Sequence, residues 1–529
     1  MKSKIFGISL FTITCLYGLL AAIVILIVLV SGGEVLYAVI GSIIVLLIQF
    51  LISPWLTDIT MRWFYKANFN AEIPEYLRAF IDKECVKHGV TFPKFAVIDD
   101  GAPNAFTYGR TKKDARIVVT RGIFELLTED EVKAVVAHEM GHIVHLDMLV
   151  MTAVQIVPLV LYAIYEAFAR NNRGDRDNNK AAIIGYIAYL LYIVSQYIIL
   201  WLSRTREYYA DEFSVTETEN PNSLAEALVK VGFGLSTKSG ESKRNVSKNN
   251  ALGIFDTKAG KALAVTSLDE SGHISKDRIK NAMKWEMWNP WAIWFEFNST
   301  HPLISKRLKR IATFSEKYNQ TPYIVFDLEK KESYVDDFLL EIAIAFLPKI
   351  AFIATLIVGA VLFVSDADSF FILGVCLFVT ICLSFVKFKR AHRSGFNETT
   401  VENLLGEIKV SHITSVPCVL KGEIIGRGNP GCIFNEDFVI KDETGIIFLD
   451  YNQPLNIVNK IFALFKSEQY FNKIVKVEGW YRRSPVPYVE IYKYSVDGKE
   501  KKIYTYGLSI ALYAIGFIIS GLLMLSGIL

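Results

Sequence analysis

Seven stretches of the chain carry apolar residues almost without interruption, at about 5–30, 35–53, 148–168, 181–202, 339–364, 370–387 and 506–528. Each approaches the roughly 20 residues that a helix needs to cross hydrocarbon, so the pattern predicts up to seven membrane helices. The first run follows Met1, Lys2, Ser3 and Lys4. It is far longer than the roughly 7–15 apolar residues of a signal peptide, which makes it a retained anchor. The pair at 148–168 and 181–202 has a second reading, as amphipathic helices that dip into the membrane and return. After the sixth run the pattern changes to short β-branched segments, Val416–Ile425, Phe438–Lys441, Ile446–Asp450, Ile474–Trp480 and Tyr488–Tyr494, parted by Gly, Asn and Pro. Five short strands, with Asp442-Glu443-Thr444-Gly445 as a hairpin turn, predict a small β-barrel, most like an OB-fold.

Composition agrees with a membrane protein. The 529 residues are 52% hydrophobic, and the mean hydropathy is +0.31, whereas a soluble chain needs a polar surface over each core. With 57 Lys and Arg against 54 Asp and Glu, the chain lacks the strongly basic footprint of a protein devoted to nucleic acid. Cys15, Cys85, Cys376, Cys382, Cys418 and Cys432 show no CxxC spacing, so neither a disulfide framework nor a cysteine zinc site is implied. Lys2 and Lys4 orient the amino terminus to the cytoplasm, and Lys387, Lys389, Arg390 and Arg393 place the end of the sixth run there too. The segments 54–147, 203–338 and 388–505 are then all cytoplasmic. Arg170, Arg173, Arg176 and Lys180 would face outward and run against this topology.

Thr128-Glu129-Asp130-Glu131 has the form of a capping box, which starts a helix at about Glu129. That helix carries His138-Glu139-Met140-Gly141-His142. Residues i and i+4 share a helix face, so both imidazoles can point at one metal while Glu139 sits beside it to accept a proton from water. With 8 His in the chain, a chance match is on the order of one in a hundred. A zinc site of this kind needs a third protein ligand and an open fourth position. Glu207, with Asp211 four residues on, supplies a candidate ligand and a candidate acceptor for the other nitrogen of a zinc histidine. His145 is the rival ligand. The two candidate sources flank the apolar pair, so the site would lie at the membrane face.

In order along the chain, Pro103-Asn104-Ala105-Phe106-Thr107-Tyr108-Gly109, His138-Glu139-x-x-His142 continuing into Asp147-Met148, Ser203-Arg204-x-x-Glu207-x-x-Ala210-Asp211, and His301-Pro302 with Arg307 together resemble the HtpX-type integral-membrane zinc metalloproteases, which are related to the CAAX prenyl-protein proteases. The resemblance covers about residues 1–315. It implies a mainly α membrane protein with a multi-span, zincin-like (gluzincin) core, one Zn2+ per chain held by His138, His142 and Glu207, and catalysis by Glu139 with His301 on the oxyanion. It further implies that Asp211 and Arg307 support the ligands, and that Asn104, Ala105 and Phe106 form an extended substrate-binding segment. The barrel has no counterpart in that family core.

The expected domains are two transmembrane helices at 1–53, a metalloprotease domain at 54–338 including the helices at about 148–202, a transmembrane hairpin at 339–387, the barrel at 388–505 and a last transmembrane helix at 506–529. Residues 236–251 read as a polar loop. The segment 285–297 holds Trp285, Trp288, Trp291 and Trp294 and suits either an interfacial belt or a cleft wall. Glu341, Pro348 and Lys349 interrupt the fifth run, either as an intramembrane ion pair or because the span starts at a snorkelling Lys349. Arg427, Lys441, Trp480, Tyr481, Arg482 and Arg483 could equip the barrel for single strands; the competing reading is a structural or protein-binding barrel. The expected function is zinc-dependent endoproteolysis of membrane or misfolded proteins at the cytoplasmic face of the plasma membrane. The alternatives are a processing protease for lipidated carboxyl termini and a non-catalytic scaffold that presents the barrel.

Overall fold

The computed structural model describes residues 15–16, 19–20, 23, 34–101, 103–170, 179–237, 275–326, 329–330, 332–364, 370–427, 436–484 and 486–527. The chain divides into two compact units, Met1–Gly260 with Trp294–Val325, and Lys261–Ile293 with Phe326–Leu529.

In the first unit, α1 (Glu34–Trp63) contains the expected second span and continues past residue 53 as one helix. Its last turns carry Asp58, whose carboxylate accepts from Arg116 Nε and Nη2, both at 3.0 Å, and from the Tyr108 hydroxyl at 2.7 Å. After α2 (Glu75–His88) comes a three-stranded sheet of β1 (Lys94–Ile98), β2 (Ala105–Gly109) and β3 (Ala115–Thr120), in the order β1-β3-β2. β3 pairs parallel with β1 and antiparallel with β2. All six of its residues are buried, Arg116 and Thr120 included, so it lacks the alternation that marks a half-exposed strand. Sequence patterning marked no strand at β3 for that reason, and none at β1, which is only five residues long.

Helix α3 (Glu129–Val144) begins on the expected capping box: Thr128 N donates to Glu131 Oε2 at 2.9 Å, and Glu131 N to Thr128 Oγ1 at 3.5 Å. It ends in a tight reversal. Leu146 takes a left-handed φ of 58°, a conformation that costs a non-glycine residue roughly 1–2 kcal/mol, and α4 (Asp147–Tyr165) starts at the next residue. Helix α5 (Asn179–Thr218) is 40 residues long, so it both packs on α4 and reaches back along α3. Val154, Val157, Val160 and Leu161 of α4 bury against Ile184, Ala188, Ile199 and Leu202 of α5, with Leu16, Leu20 and Ile23 in the same cluster. The rest of the first apolar run, and the segments 171–178 and 238–251, lie outside the described residues. α6 (Pro221–Thr237) and α7 (Ile304–Ser315) complete the unit.

The second unit contains α8 (Val335–Val364) and α9 (Phe370–Ala391), a barrel, and α11 (Thr505–Ser526). Among the described residues five helices are long and apolar enough to cross a membrane: Asp147–Phe168, Ala182–Thr218, Val335–Val364, Phe370–Ala391 and Thr505–Ser526. Phe352, Ile353, Leu356, Ile357 and Val361 of α8 are each more than half exposed. A row of this kind is stable only against lipid or another apolar partner.

The barrel strands are β4 (Val416–Arg427), β5 (Phe438–Lys441), β6 (Ile446–Asp450), β7 (Ile474–Ser484) and β8 (Val486–Val496). β4 pairs β5 and β7, β5 pairs β6, β7 pairs β8, all antiparallel, and β6 pairs β8 in parallel, which closes the ring. Helix α10 (Asn456–Phe465) lies between β6 and β7 in sequence. The turn at Asp442 forms as its residues require, with Asp442 Oδ1 accepting from Thr444 N at 2.7 Å and Gly445 N at 2.8 Å.

Of the residues considered for a single-strand surface, Trp480, Tyr481 and Arg483 are buried, and Arg482 is bound to Glu490 Oε2 at 2.7 Å. Trp480, Tyr481 and Arg483 thus form core, whereas Arg427 is half-buried and Lys441 exposed. The tryptophan-rich segment also divides: Trp285 and Trp291 are buried, with Trp285 donating to Val410 O at 2.8 Å and Trp291 donating to Glu341. Glu341 therefore takes Trp291 as its partner, with Arg390 at 4.0 Å, while Lys349 is exposed.

Candidate metal centre

Helix α3 and the distal half of α5 approach so closely because Gly141 faces α5. A methyl group there would meet the Ala210 Cα and the Phe213 side chain, both at 3.2 Å. Ser214 Oγ of α5 donates to Ala134 O at 2.6 Å. This close approach sets His138 and His142 of α3 opposite Glu207 of α5. The two Nε2 atoms are 3.2 Å apart; Glu207 Oε2 is 3.5 Å from His138 Nε2, and Glu207 Oε1 is 3.6 Å from His142 Nε2. His138, Glu139, Glu207 and Asp211 are buried, and the His142 side chain is 18% exposed.

Each histidine is held from behind by a carboxylate that an arginine fixes in turn. His138 Nδ1 lies 3.0 Å from Asp211 Oδ1, and Arg307 of α7 donates to both oxygens of Asp211, at 2.9 and 2.6 Å. His142 Nδ1 lies 2.6 Å from Asp147 Oδ2, and Arg206 donates to Asp147 and to His145 O, the latter at 2.9 Å. The second relay was not in the sequence reading. Asp147 stands five residues past His142, across the left-handed turn, where helical spacing gives no cue.

The donor set fits a divalent metal. With a carboxylate oxygen within 3.0 Å of each Nδ1, the Nε2 atoms face each other and the Glu207 carboxylate, and among the described residues Glu207 Oε2 has no hydrogen-bond partner although it is buried. Ligands about 2.0–2.1 Å from a tetrahedral ion lie about 3.3 Å from one another, close to the three separations here. Burial opposes a charge on His138, but Asp211 and Glu207 outweigh it and push its pKa up to about 9. A metal must therefore displace a proton held below that pH. Apparent zinc affinity is expected to rise as pH rises toward about 9, roughly tenfold per unit for one displaced proton. Competition titrations with a chelating indicator at several pH values read this directly, and a flat profile would contradict it.

A cleft of about 230 Å³ opens beside these donors, lined among others by Phe106, Thr107, Glu139, His142, Glu207 and His301. His301 Nε2 is 3.6 Å from Glu207 Oε1, and Thr300 Oγ1 is 2.9 Å from its Nδ1. The loop before it is clamped by α5: Arg204 donates to the carbonyls of Glu296 and Ser299 at 2.8 Å, and Ser203 Oγ to Thr300 O at 2.9 Å. Of the extended segment, Phe106 reaches the cleft, whereas Ala105 is buried and Asn104 is tied to Thr120, whose Oγ1 accepts from Asn104 N at 2.7 Å and whose N donates to Asn104 O at 2.9 Å. β2 is an edge strand. Because the Asn104 backbone faces β3, strand alternation turns the amides and carbonyls of Ala105 and Thr107 to the open edge. His145 stands apart from the donors, with its ring edge-on to Tyr209 and Phe213 at 6.5 and 5.8 Å.

Residues 70–315 match the sequence profile of peptidase family M48. The chain is similar to a protease HtpX homolog of Methanothermobacter thermautotrophicus, 41% identical over 225 residues, which are 42% of this chain and 83% of that protein. A protease HtpX homolog of Aeropyrum pernix is 31% identical over 270 residues, 50% of this chain and 81% of the relative. One of Thermoplasma acidophilum is 27% identical over 318 residues, 59% of this chain and 95% of the relative. The crystal structure of S. mikatae Ste24p matches 56% of this chain and 67% of its own at 17% identity, with a TM-score of 0.33.

Proposed function

From the premise that the chain belongs to peptidase family M48 and is a membrane-embedded metalloprotease, we propose that His138, His142 and Glu207 hold one zinc ion and that Glu139 is the catalytic base. The observation that carries this reading is the trio of nitrogen and oxygen donors 3.2 to 3.6 Å apart, with both histidines already oriented by carboxylates. A zinc ion bound there supplies Lewis acidity for the scissile carbonyl and acidifies water.

Glu139 accepts the proton of the attacking water and delivers it to the leaving amine. His301, which lines the same cleft, donates to the developing oxyanion. The open edge of β2 takes an extended peptide as an added strand, with Asn104 and Ala105 fixing the strand and Phe106 forming part of the wall. Asp211 and Arg307 keep His138 in one tautomer and orientation. The core belongs on this reading to the gluzincin type, and the strand order of the barrel, with a helix between β6 and β7 and the β6–β8 parallel pair, supports an OB-like domain.

The substrates we infer are membrane or misfolded polypeptides. The site lies one short turn from the start of α4, which gives it access to chains at the bilayer surface. The basic cluster Lys387, Lys389, Arg390 and Arg393 supports a cytoplasmic site and barrel in the plasma membrane. We infer a domain division at 1–53, 54–338, 339–387, 388–505 and 506–529, with α1 (Glu34–Trp63) running through the first boundary.

The test is metal content and cleavage of an unfolded polypeptide by the full chain in detergent, wild type beside Glu207→Ala. Wild type is expected to cleave, and the variant to lose one equivalent of zinc together with activity. A variant that keeps full metal and rate would remove Glu207 from the ligand set. A prenylated carboxyl-terminal peptide that outcompetes the unfolded chain would move the substrate class to lipidated termini.

A further inference from the structure

A second cluster of metal-binding side chains lies in the first unit, away from the centre above. Glu84 and His88 stand i and i+4 on the last turns of α2, sharing one face, and Glu217 lies at the far end of α5. Ligand atoms of the three lie within 4.8 Å of one another. His88 Nε2 is 3.0 Å from Glu217 Oε1 and 3.5 Å from Glu84 Oε2. The side chains of Glu84, Glu217 and His88 are 0, 5 and 10% exposed.

Glu84 is what an ordinary surface ion-pair network does not explain. Its side chain is fully buried, and among the described residues neither of its oxygens receives a hydrogen bond. Lys87 donates to Glu217 Oε2, with half of its own side chain in solvent. Lys83 comes only to 3.7 Å from Glu84 Oε1 and is 70% exposed. Both lysines thus work from the solvent side, whereas Glu84 Oε2 and Glu217 Oε1 turn to the same imidazole nitrogen. Two buried carboxylates this close repel each other unless a cation or a proton sits between them.

We propose that Glu84, His88 and Glu217 form a second divalent-metal site, a structural clip that fastens the end of α5 to α2. One imidazole and two carboxylates are a mixed nitrogen and oxygen donor set that takes Zn2+ and its first-row neighbours. The separations of 3.0 and 3.5 Å bracket the roughly 3.3 Å between ligands of a tetrahedral ion, and the partly exposed His88 side leaves room for water as a fourth ligand. Glu217 follows Glu207 by ten residues on one helix, about 15 Å along its axis. A clip there holds the helix that carries Glu207 and Asp211 without touching the cleft.

The experiment is elemental analysis of the full chain in detergent after loading with Zn2+ and removal of the excess. Wild type is compared with His88→Gln, Glu217→Gln and His138→Ala. Wild type is expected to hold about two zinc ions per chain, His88→Gln and Glu217→Gln about one each with proteolysis retained, and His138→Ala about one with proteolysis lost. Two polar replacements on different helices guard against one variant failing to fold, and the thermal midpoint of wild type, but not of His88→Gln, is expected to rise on a second Zn2+ addition. One zinc in wild type that His138→Ala removes and His88→Gln leaves would overturn the clip and leave the reading of the catalytic site intact. Two zinc ions in both wild type and His88→Gln would also overturn it.

Discussion

Glu139→Gln is expected to keep the zinc of the catalytic centre and to lower the turnover of an unfolded polypeptide by roughly 10²- to 10⁴-fold, the range for removal of a positioned general base. The reason is positional. Glu139 shares α3 with His138 and His142 and lines the cleft together with His301. It is buried. Glutamine keeps the shape and cannot take the proton, hence metal analysis and steady-state rates on the same preparation separate base from ligand. Undiminished cleavage by the variant would end the assignment.

The largest stability effect is expected at Arg307. Its guanidinium is 1% exposed and holds both oxygens of Asp211, itself 2% exposed. Arg307→Ala leaves that carboxylate buried with only His138 against it, and removal of one partner from a buried pair costs about 3–5 kcal/mol. Arg307→Met with Asp211→Asn removes both charges at similar volume and is expected to recover part of the loss. Unfolding midpoints in detergent for the three chains read the difference. A cost below about 1 kcal/mol, the worth of an exposed pair, would mean that water reaches Asp211. Zinc affinity should fall with stability, by about 10- to 100-fold when a ligand loses its orienting partner.

Most of this molecule was written locally. Apolar runs gave the membrane helices, because hydrocarbon thickness sets a length that any sequence must meet. The capping box at Thr128 and the i, i+4 histidines gave α3 and its metal-facing side, because both follow from the geometry of a single helix. Strand runs parted by turn residues gave the five barrel strands, though β7 and β8 extend beyond the expected ends as their pairing continues.

Tertiary structure decided the rest. β3 is buried on every side, so its pattern carries no period that marks a strand. Asp147 reaches His142 only because Leu146 turns left-handed between two helices, and Arg206 matters only because α5 runs back along α3. The tryptophans of 285–297 read in sequence as an interfacial belt or a cleft wall, yet Trp285 and Trp291 close a core through indole hydrogen bonds to Val410 and Glu341. Sequence fixes what one helix or one turn can do by itself. Which carboxylate stands behind which histidine depends on the approach of separate helices, and the space opposite Gly141 sets that approach.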